Sequence, residues 1–332
     1  MRSHLRKFYK KTQEYVWKVG IVQNTLDGIL AGEPLNVKWV GGETPGTWWA
    51  DPFILDANEH NLVLLVEEYH MTNRRGVIAQ LTIDRRSMQV TRRTEVLRLD
   101  THLSFPAIHR SADGQVFVYP ESCNKGCLEV YRYDADTQRL TEPQKVCNEP
   151  LTDAIFSTLL GFPALFSTQR PAPNSMHLNV YRSAQADAGH PWHECSFSLA
   201  GSYVFPRRTA RCAGQWFVHE GRLYRPAMEC EVEYGHAVEL QEMVVTPASD
   251  TSQPAATPDA ASLPHVSFKP VRTLLSPDRQ YDRGLHTFNV FGDVIVVDVK
   301  GYRYPILGRM MRKIRKFHSC GCSAKRRKPN TW

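Results

Sequence analysis

Along most of this chain the apolar positions alternate with polar ones or gather in runs of four to eight. Both are patterns of strands rather than helices. Between residues 49 and 305 the runs "LVLLVEEY", "QVFVYPES", "LEVYRYD", "LNVYRS", "QWFVHEG" and "DVIVVDVKG" are rich in β-branched and aromatic residues. Turn formers such as Ala112-Asp113-Gly114 and Phe291-Gly292-Asp293 separate them. Helical spacing is confined to the two ends. Leu5, Phe8, Tyr9, Thr12, Tyr15, Val16 and Val19 suit a helix at the N-terminus, and Ile306, Leu307, Met310, Met311, Ile314 and Phe317 at the C-terminus.

Five stretches of the strand region share one layout: a polar opener, an apolar strand, a turn and a second strand that mostly ends on a polar group. They are "ADPFILDANEHNLVLLVEE", "HLSFPAIHRSADGQVFVYPES", "DAIFSTLLGFPALFST", "RCAGQWFVHEGRLYRPAME" and "HTFNVFGDVIVVDVKG". The openers are Asp51, His102, Asp153, Arg211 and His286, at steps of 51, 51, 58 and 75 residues. The longest step holds the Pro/Ala/Ser/Thr-rich stretch "TPASDTSQPAATPDAASLP", which reads as a flexible insertion at about residues 245–265. Units of about fifty residues and four strands are the signature of a β-propeller. The expected fold is therefore all-β, a five-bladed propeller over residues 20–305. A basic helical segment (1–19) precedes it and a basic tail (306–332) follows. In a propeller the first strands line a central channel, so the openers should converge at its mouth. Antiparallel pairing should bring Asp51 near Glu67 or Glu68, His102 near Glu121, Arg211 near Glu229 and His286 near Asp298. Only one of Glu67 and Glu68 can face inward, because strand side chains alternate.

Charge changes this picture at the ends. Of 41 Lys/Arg, five lie in residues 1–12 and nine in residues 309–328, with no acid in either stretch; the other 27 meet 34 Asp/Glu, a net of −7. A basic nucleic-acid face across the fold is thereby excluded. Basic amphipathic ends instead suit an anionic membrane surface. No apolar run is long enough to span a bilayer, and the N-terminus lacks the apolar core of a secretory signal. A cytoplasmic protein, peripheral at the inner membrane surface, is the expectation. Eight cysteines in a chain of 332 residues read as reduced thiols. Cys123-x-x-x-Cys127 and "HSCGC" lack paired zinc spacing, so no cofactor is expected. A channel calcium would suit the carboxylates but has no motif of its own.

"WWADPF", "HLSFP", "YPES", "LYRPAMECEVEYG" and "GLHTFNVFGDVIVVD" resemble the N-terminal domain of glucosamine inositolphosphorylceramide transferases over roughly residues 17–305. That domain is similar to the five-bladed propellers of family-43 and related glycoside hydrolases. The chain departs from the family wording at Met228-Glu229, where Gln-Asp is usual. The glycosyltransferase domain of the plant proteins lies outside the resemblance, so no transferase activity follows from it. The resemblance to the hydrolases implies Asp51 as base.

Glycoside cleavage needs two carboxyl groups across the scissile bond, one basic and one acidic. With Asp51 as base, Glu121 or Asp153 supplies the acid. Arg211 and Arg225 suit a carboxylate or phosphate on the sugar. Glu229, His102 and His286 suit its hydroxyls, and Trp48 and Trp49 could stack on a ring. The leading expectation is a carbohydrate-active propeller binding a glycosyl unit of a glycan or glycolipid, with hydrolysis or transfer left open. The alternative is a non-catalytic propeller that binds a glycan or a protein and positions a glycosyltransferase or other sugar-modifying partner.

Overall fold

The computed structural model describes residues 12–158, 160–183, 192, 194, 196–246 and 263–312. Its regular structure is almost entirely strand, twenty in number among the described residues. The first five sheet strands on the N-terminal side are β1 (Tyr15–Val22), β2 (Val37–Trp39), β3 (Thr47–Ala57), β4 (Asn61–His70) and β5 (Arg75–Asp84). Next come β6 (Gln89–Leu97), β7 (Ser104–Arg110), β8 (Val116–Glu121), β9 (Leu128–Asp134) and β10 (Arg139–Cys147). Then follow β11 (Leu151–Ser157), β12 (Ala164–Gln169), β13 (His177–Ser183), β14 (Phe197–Val204) and β15 (Phe217–His219). The last are β16 (Arg222–Glu229), β17 (Ala237–Thr246), β18 (His265–Leu274), β19 (Gly284–Phe291) and β20 (Val294–Tyr302).

They form antiparallel four-stranded meanders, and the fold is an all-β propeller. β3–β6 make one sheet and β15–β18 another. β7–β10 and β11–β14 are two further meanders, fused into one eight-stranded sheet by a single parallel pair, Cys147 with Phe197. The remaining sheet has the order β19-β20-β1-β2, so the N-terminal strand completes the C-terminal sheet. Tyr15 pairs with Tyr302 and Val22 with Ile295. This corrects the helical expectation for Tyr15, Val16 and Val19. Trp17, Val19 and Ile21 are all buried, and this strand alternation outweighs the helical spacing. The earlier part of the predicted N-terminal segment lies outside the described residues, as do most of the insertion and the tail beyond residue 312.

The sheets are packed on both faces, which explains the continuous apolar runs. All nine residues of β20 are buried. Between the β3–β6 sheet and the closing one lie Val19, Trp49, Leu62, Leu64, Val66 and Val296. Met228, Val238, Leu240, Phe288 and Val297 fill the next interface. Cys123, Cys127, Cys147, Cys212 and Cys230 are buried free thiols. Cys195, Cys320 and Cys322 lie outside the described residues. Residues 305–312 are helical, and no helix among the described residues is long and apolar enough to cross a membrane.

Four opening strands carry a β-bulge at equivalent points. The register slips between Ala50 and Phe53 in β3, Ser104 and Ala107 in β7, Thr152 and Ile155 in β11, and Leu285 and Thr287 in β19. Asp51, Phe105 and Asp153 at three of them have φ of 51°, 44° and 49°. A bulge turns one residue out of the ladder and frees its backbone N–H. The second opener is therefore Phe105, and not His102, which lies before β7. Pro52 and Pro106, which follow Asp51 and Phe105, are the sequence trace of this equivalence.

Candidate functional site

The bulges decide what the inward carboxylates do, because each freed N–H needs an acceptor. Asp298 Oδ2 accepts from Asp51 N at 2.8 Å, and Asp51 Oδ2 from Phe105 N at 3.0 Å. Glu121 Oε2 accepts from Asp153 N at 3.2 Å. Asp153 Oδ2 accepts from Arg211 Nε at 2.5 Å, and Arg211 Nη2 also reaches Glu121 Oε2 at 3.4 Å. Each carboxylate thus ties its own four-stranded meander to the next around the channel. Asp51, Glu121, Asp153 and Asp298 are all buried.

His286 joins the same ring. Its Nδ1 lies 2.6 Å from Asp298 Oδ1 and its Nε2 3.3 Å from Asp51 Oδ1. The Trp17 ring stacks on it at 3.9 Å and 23°. Burial alone would depress the imidazole, but Asp298 and Asp51 outweigh it and hold its pKa above the ordinary value. Burial pushes the Asp51 carboxyl up to about 7 despite His286, and that of Glu121 up to about 8, aided by repulsion from Asp153. The Arg211 guanidinium, held by two carboxylates and lying 4.8 Å over the Tyr234 ring, stays cationic. Asp51, His286 and Asp298 offer one ligand atom each within 4.8 Å of one another. Two of these three carry the backbone and imidazole bonds just described, so a metal there would have to displace bonds already made.

A cavity of about 410 Å³ opens above this ring. Trp17, Trp48, Tyr69 and Tyr234 wall it, with Glu14, Arg74 and Arg303 at its edge and Glu67, His102 and His286 at its polar floor. Trp48 and Tyr69 stack at 4.5 Å and 11°. Glu67 is the inward member of its pair. Glu68 points the other way, accepting from Trp49 Nε1 at 3.1 Å and Arg93 Nε at 2.9 Å. Glu67 has no such cation. Its Oε1 is buried, makes no hydrogen bond among the described residues, and lies 3.5 Å from His102 Nε2. Burial, then the charges of Asp51, Glu121, Asp298 and Asp153, raise its pKa well above the carboxylate range. The protonated form is thereby favoured, and in that form the carboxyl can donate. His102 Nδ1 accepts from Gly76 N at 2.9 Å, so the proton of the neutral ring sits on Nε2. Burial and the charge of Arg170 lower the His102 pKa, favouring that neutral form. A side chain at position 76 would come within 2.3 Å of Leu103 O and 2.7 Å of Glu67 Oε1, so only glycine admits this approach.

Of the residues singled out in the sequence, Asp51, Glu121, Asp153, Arg211 and His286 do converge, and His102 stands beside them. Four expectations are corrected. Trp49 is 2% exposed in the core and bonds Glu68, so Trp48 alone of the pair reaches the cavity. Arg225 is fully buried inside its sheet, donating to Thr209 O at 3.1 Å and Gln241 Oε1 at 2.7 Å, and holds a backbone segment rather than a ligand. Arg211 pairs with Asp153 and Glu121 across sheets rather than with Glu229, whose Oε1 caps Glu231 N at 2.6 Å. The residue near Glu121 is Ser104, not His102, which instead stands by Glu67 of the preceding sheet. Sequence reasoning did not assign Glu67, Trp17, Tyr69 or Tyr234 to the site. Glu67 was visible as the end of a second strand. Trp17 and Tyr234 arrive by strand closure and a loop, which no local pattern announces.

The family model described as glucosamine inositolphosphorylceramide transferase 1, N-terminal, matches residues 38–253. Proteins named glucosamine inositolphosphorylceramide transferase 1 from Oryza sativa subsp. indica and subsp. japonica are each 27% identical over 210 residues. The match covers 61% of this chain and only 27% of either relative. A solved structure titled RS223-Beta-xylosidase has 13% identity and a TM-score of 0.46, with 65% of this chain and 78% of that one covered. A putative glycoside hydrolase from Bacteroides ovatus has 10% identity and a TM-score of 0.44, with 76% and 86% covered.

Proposed function

The chain belongs to the family of the glucosamine inositolphosphorylceramide transferase 1 N-terminal domain, and from that premise we propose that it binds a glycosyl unit of a glycan or glycolipid in the aromatic-walled cavity at the channel mouth. The observation that carries this reading is the pairing of a stacked Trp48–Tyr69 wall with the buried Glu67 carboxyl at its floor, whose Oε1 makes no hydrogen bond among the described residues. A sugar ring offers C–H faces to an aromatic wall and hydroxyls to a fixed donor or acceptor. Glu67 and His102 Nε2 supply that polar pair, and Trp48 supplies the face. The family name and the relatives' names agree with a glycolipid or glycan context.

Binding is favoured over two-carboxylate cleavage because Asp51, Glu121 and Asp153 each hold a neighbouring four-stranded meander, and none of the three lines the cavity. Removing such a group as a catalyst would also cut a structural tie. A module of this kind fits the role of presenting a sugar to a partner enzyme. The hydrolytic reading draws on the buried Asp51 and Glu121 carboxyls, which burial pushes up to about 7 and about 8, a range that suits acid–base work near neutral pH.

Glycan-array binding followed by calorimetry tests the proposal. Trp48→Ala and Glu67→Ala should each weaken binding by about tenfold or more, equivalent to about 1.4 kcal/mol. Unchanged affinity in both, with the fold intact by circular dichroism, removes the cavity as the site. Release of reducing sugar by the wild type, absent in Asp51→Asn of equal stability, would decide for hydrolysis.

A further inference from the structure

Residues 13–14 and 303–308 meet at one place, the rim of the cavity. Gln13 Nε2 donates to Gly308 O at 3.2 Å. Arg303 Nη1 pairs with Glu14 Oε2 at 3.1 Å, and both residues line the cavity. In the sequence, the five Lys/Arg of residues 1–12 precede this point and the nine of residues 309–328 follow it, with no acid among them.

The helix at residues 305–312 sits on the fold in an unusual way. Its seat is Gly308, where a Cβ would come within 2.5 Å of the Tyr302 ring. Arg309 and Arg312 reach back to Asp282 at 3.2 Å and Glu233 at 3.6 Å. The apolar residues consequently face away from the protein: Ile306, Leu307 and Met310 are 81%, 39% and 48% exposed. Their spacing places them on one helix face. A helix serving only to cover the propeller would bury that face.

We propose that this rim docks on an anionic lipid bilayer, with Ile306, Leu307 and Met310 in the headgroup layer and the cations of the two end segments against the lipid phosphates. The cavity mouth is thereby held at the membrane surface. A bilayer supplies what this surface asks for, an apolar layer beneath a negative one. A second copy of the chain does not, because a symmetric contact would set fourteen cations against fourteen.

The full chain is sedimented with vesicles of phosphatidylcholine alone or with roughly one third phosphatidylserine. The bound fraction should rise at least about tenfold with the anionic lipid and fall as salt is added. Ile306→Ser/Leu307→Ser/Met310→Ser, at exposed positions, should lower it about tenfold with the thermal midpoint unchanged. Equal sedimentation with both vesicles overturns the proposal, as does an undiminished triple variant. So does full competition by soluble duplex RNA, or a dimer in solution that the triple variant abolishes. The vesicles carry no sugar, so the result is independent of the glycosyl-binding proposal.

Discussion

The channel buries carboxylates on two sides and neutralises them by different means. On one side Arg211, a permanent cation, serves Asp153 and Glu121 together. On the other His286, a titratable one, sits between Asp51 and Asp298. Glu67 lies at the cavity floor with no such cation, and burial and its acidic neighbours favour its protonated form instead. A fixed guanidinium gives a joint whose cation does not titrate. An imidazole gives one whose strength changes with protons, and a bare acid gives a group free to meet a ligand. The difference divides one ring of similar residues into a structural side and a responsive side.

Removing the fixed cation should have the largest effect. Arg211→Met leaves two buried carboxylates without their partner and should cost about 3–5 kcal/mol of unfolding free energy, read by denaturant titration. His286→Gln should cost less, about 1–3 kcal/mol, because Asp51 already holds a proton up to about pH 7. Its deficit should widen as pH rises from 6 to 8 and Asp51 ionises without an imidazole beside it. Equal deficits at every pH would erase the distinction between the two sides.

The pH dependence of the wild type comes next in size. Asp51, Glu67, Glu121 and His286 all have pKa values raised in the folded state. The native protein therefore binds more protons than the unfolded chain. The stability these groups confer is present at low pH and is lost as pH rises from the unfolded carboxylate values, 3.8 and 4.5, through about 7 and about 8. Unfolding free energy should fall across that window, and Glu67→Gln should make the fall shallower by about one proton's linkage. A profile that rises with pH would reverse the electrostatic reading. The smallest effect is expected at Glu229. Its carboxylate caps the Glu231 N–H, a bond that Gln can also accept. Glu229→Gln should change stability by about 0.5 kcal/mol or less and leave ligand binding unaltered.

Much of this architecture is written locally. The runs in β4 and β20 are apolar because both faces of each sheet are buried, and that pattern, repeated at fifty-residue steps, determines the class of fold. Asp51, Asp153, Arg211 and His286 stand at the same point of their repeats, so their convergence follows from the repeat alone. His102 misled the count because a histidine three residues before the bulge looks like an opener, while the true equivalent, Phe105, is apolar. Tyr15 to Val19 misled it because helical and strand spacings overlap in a short basic stretch. Only the tertiary structure could show which partner neutralises which charge, since a carboxylate's neighbour on the next sheet is tens of residues away. Asp51 meets Phe105 and His286, Asp153 meets Arg211, and Glu67 meets no cation, because the bulges turn these groups across sheet boundaries. The sequence by itself determined the sheets and the polar ring. The packing of one sheet against the next decided which members of that ring are stitches and which one faces the cavity, because burial and cross-sheet pairing set the charge each group can hold.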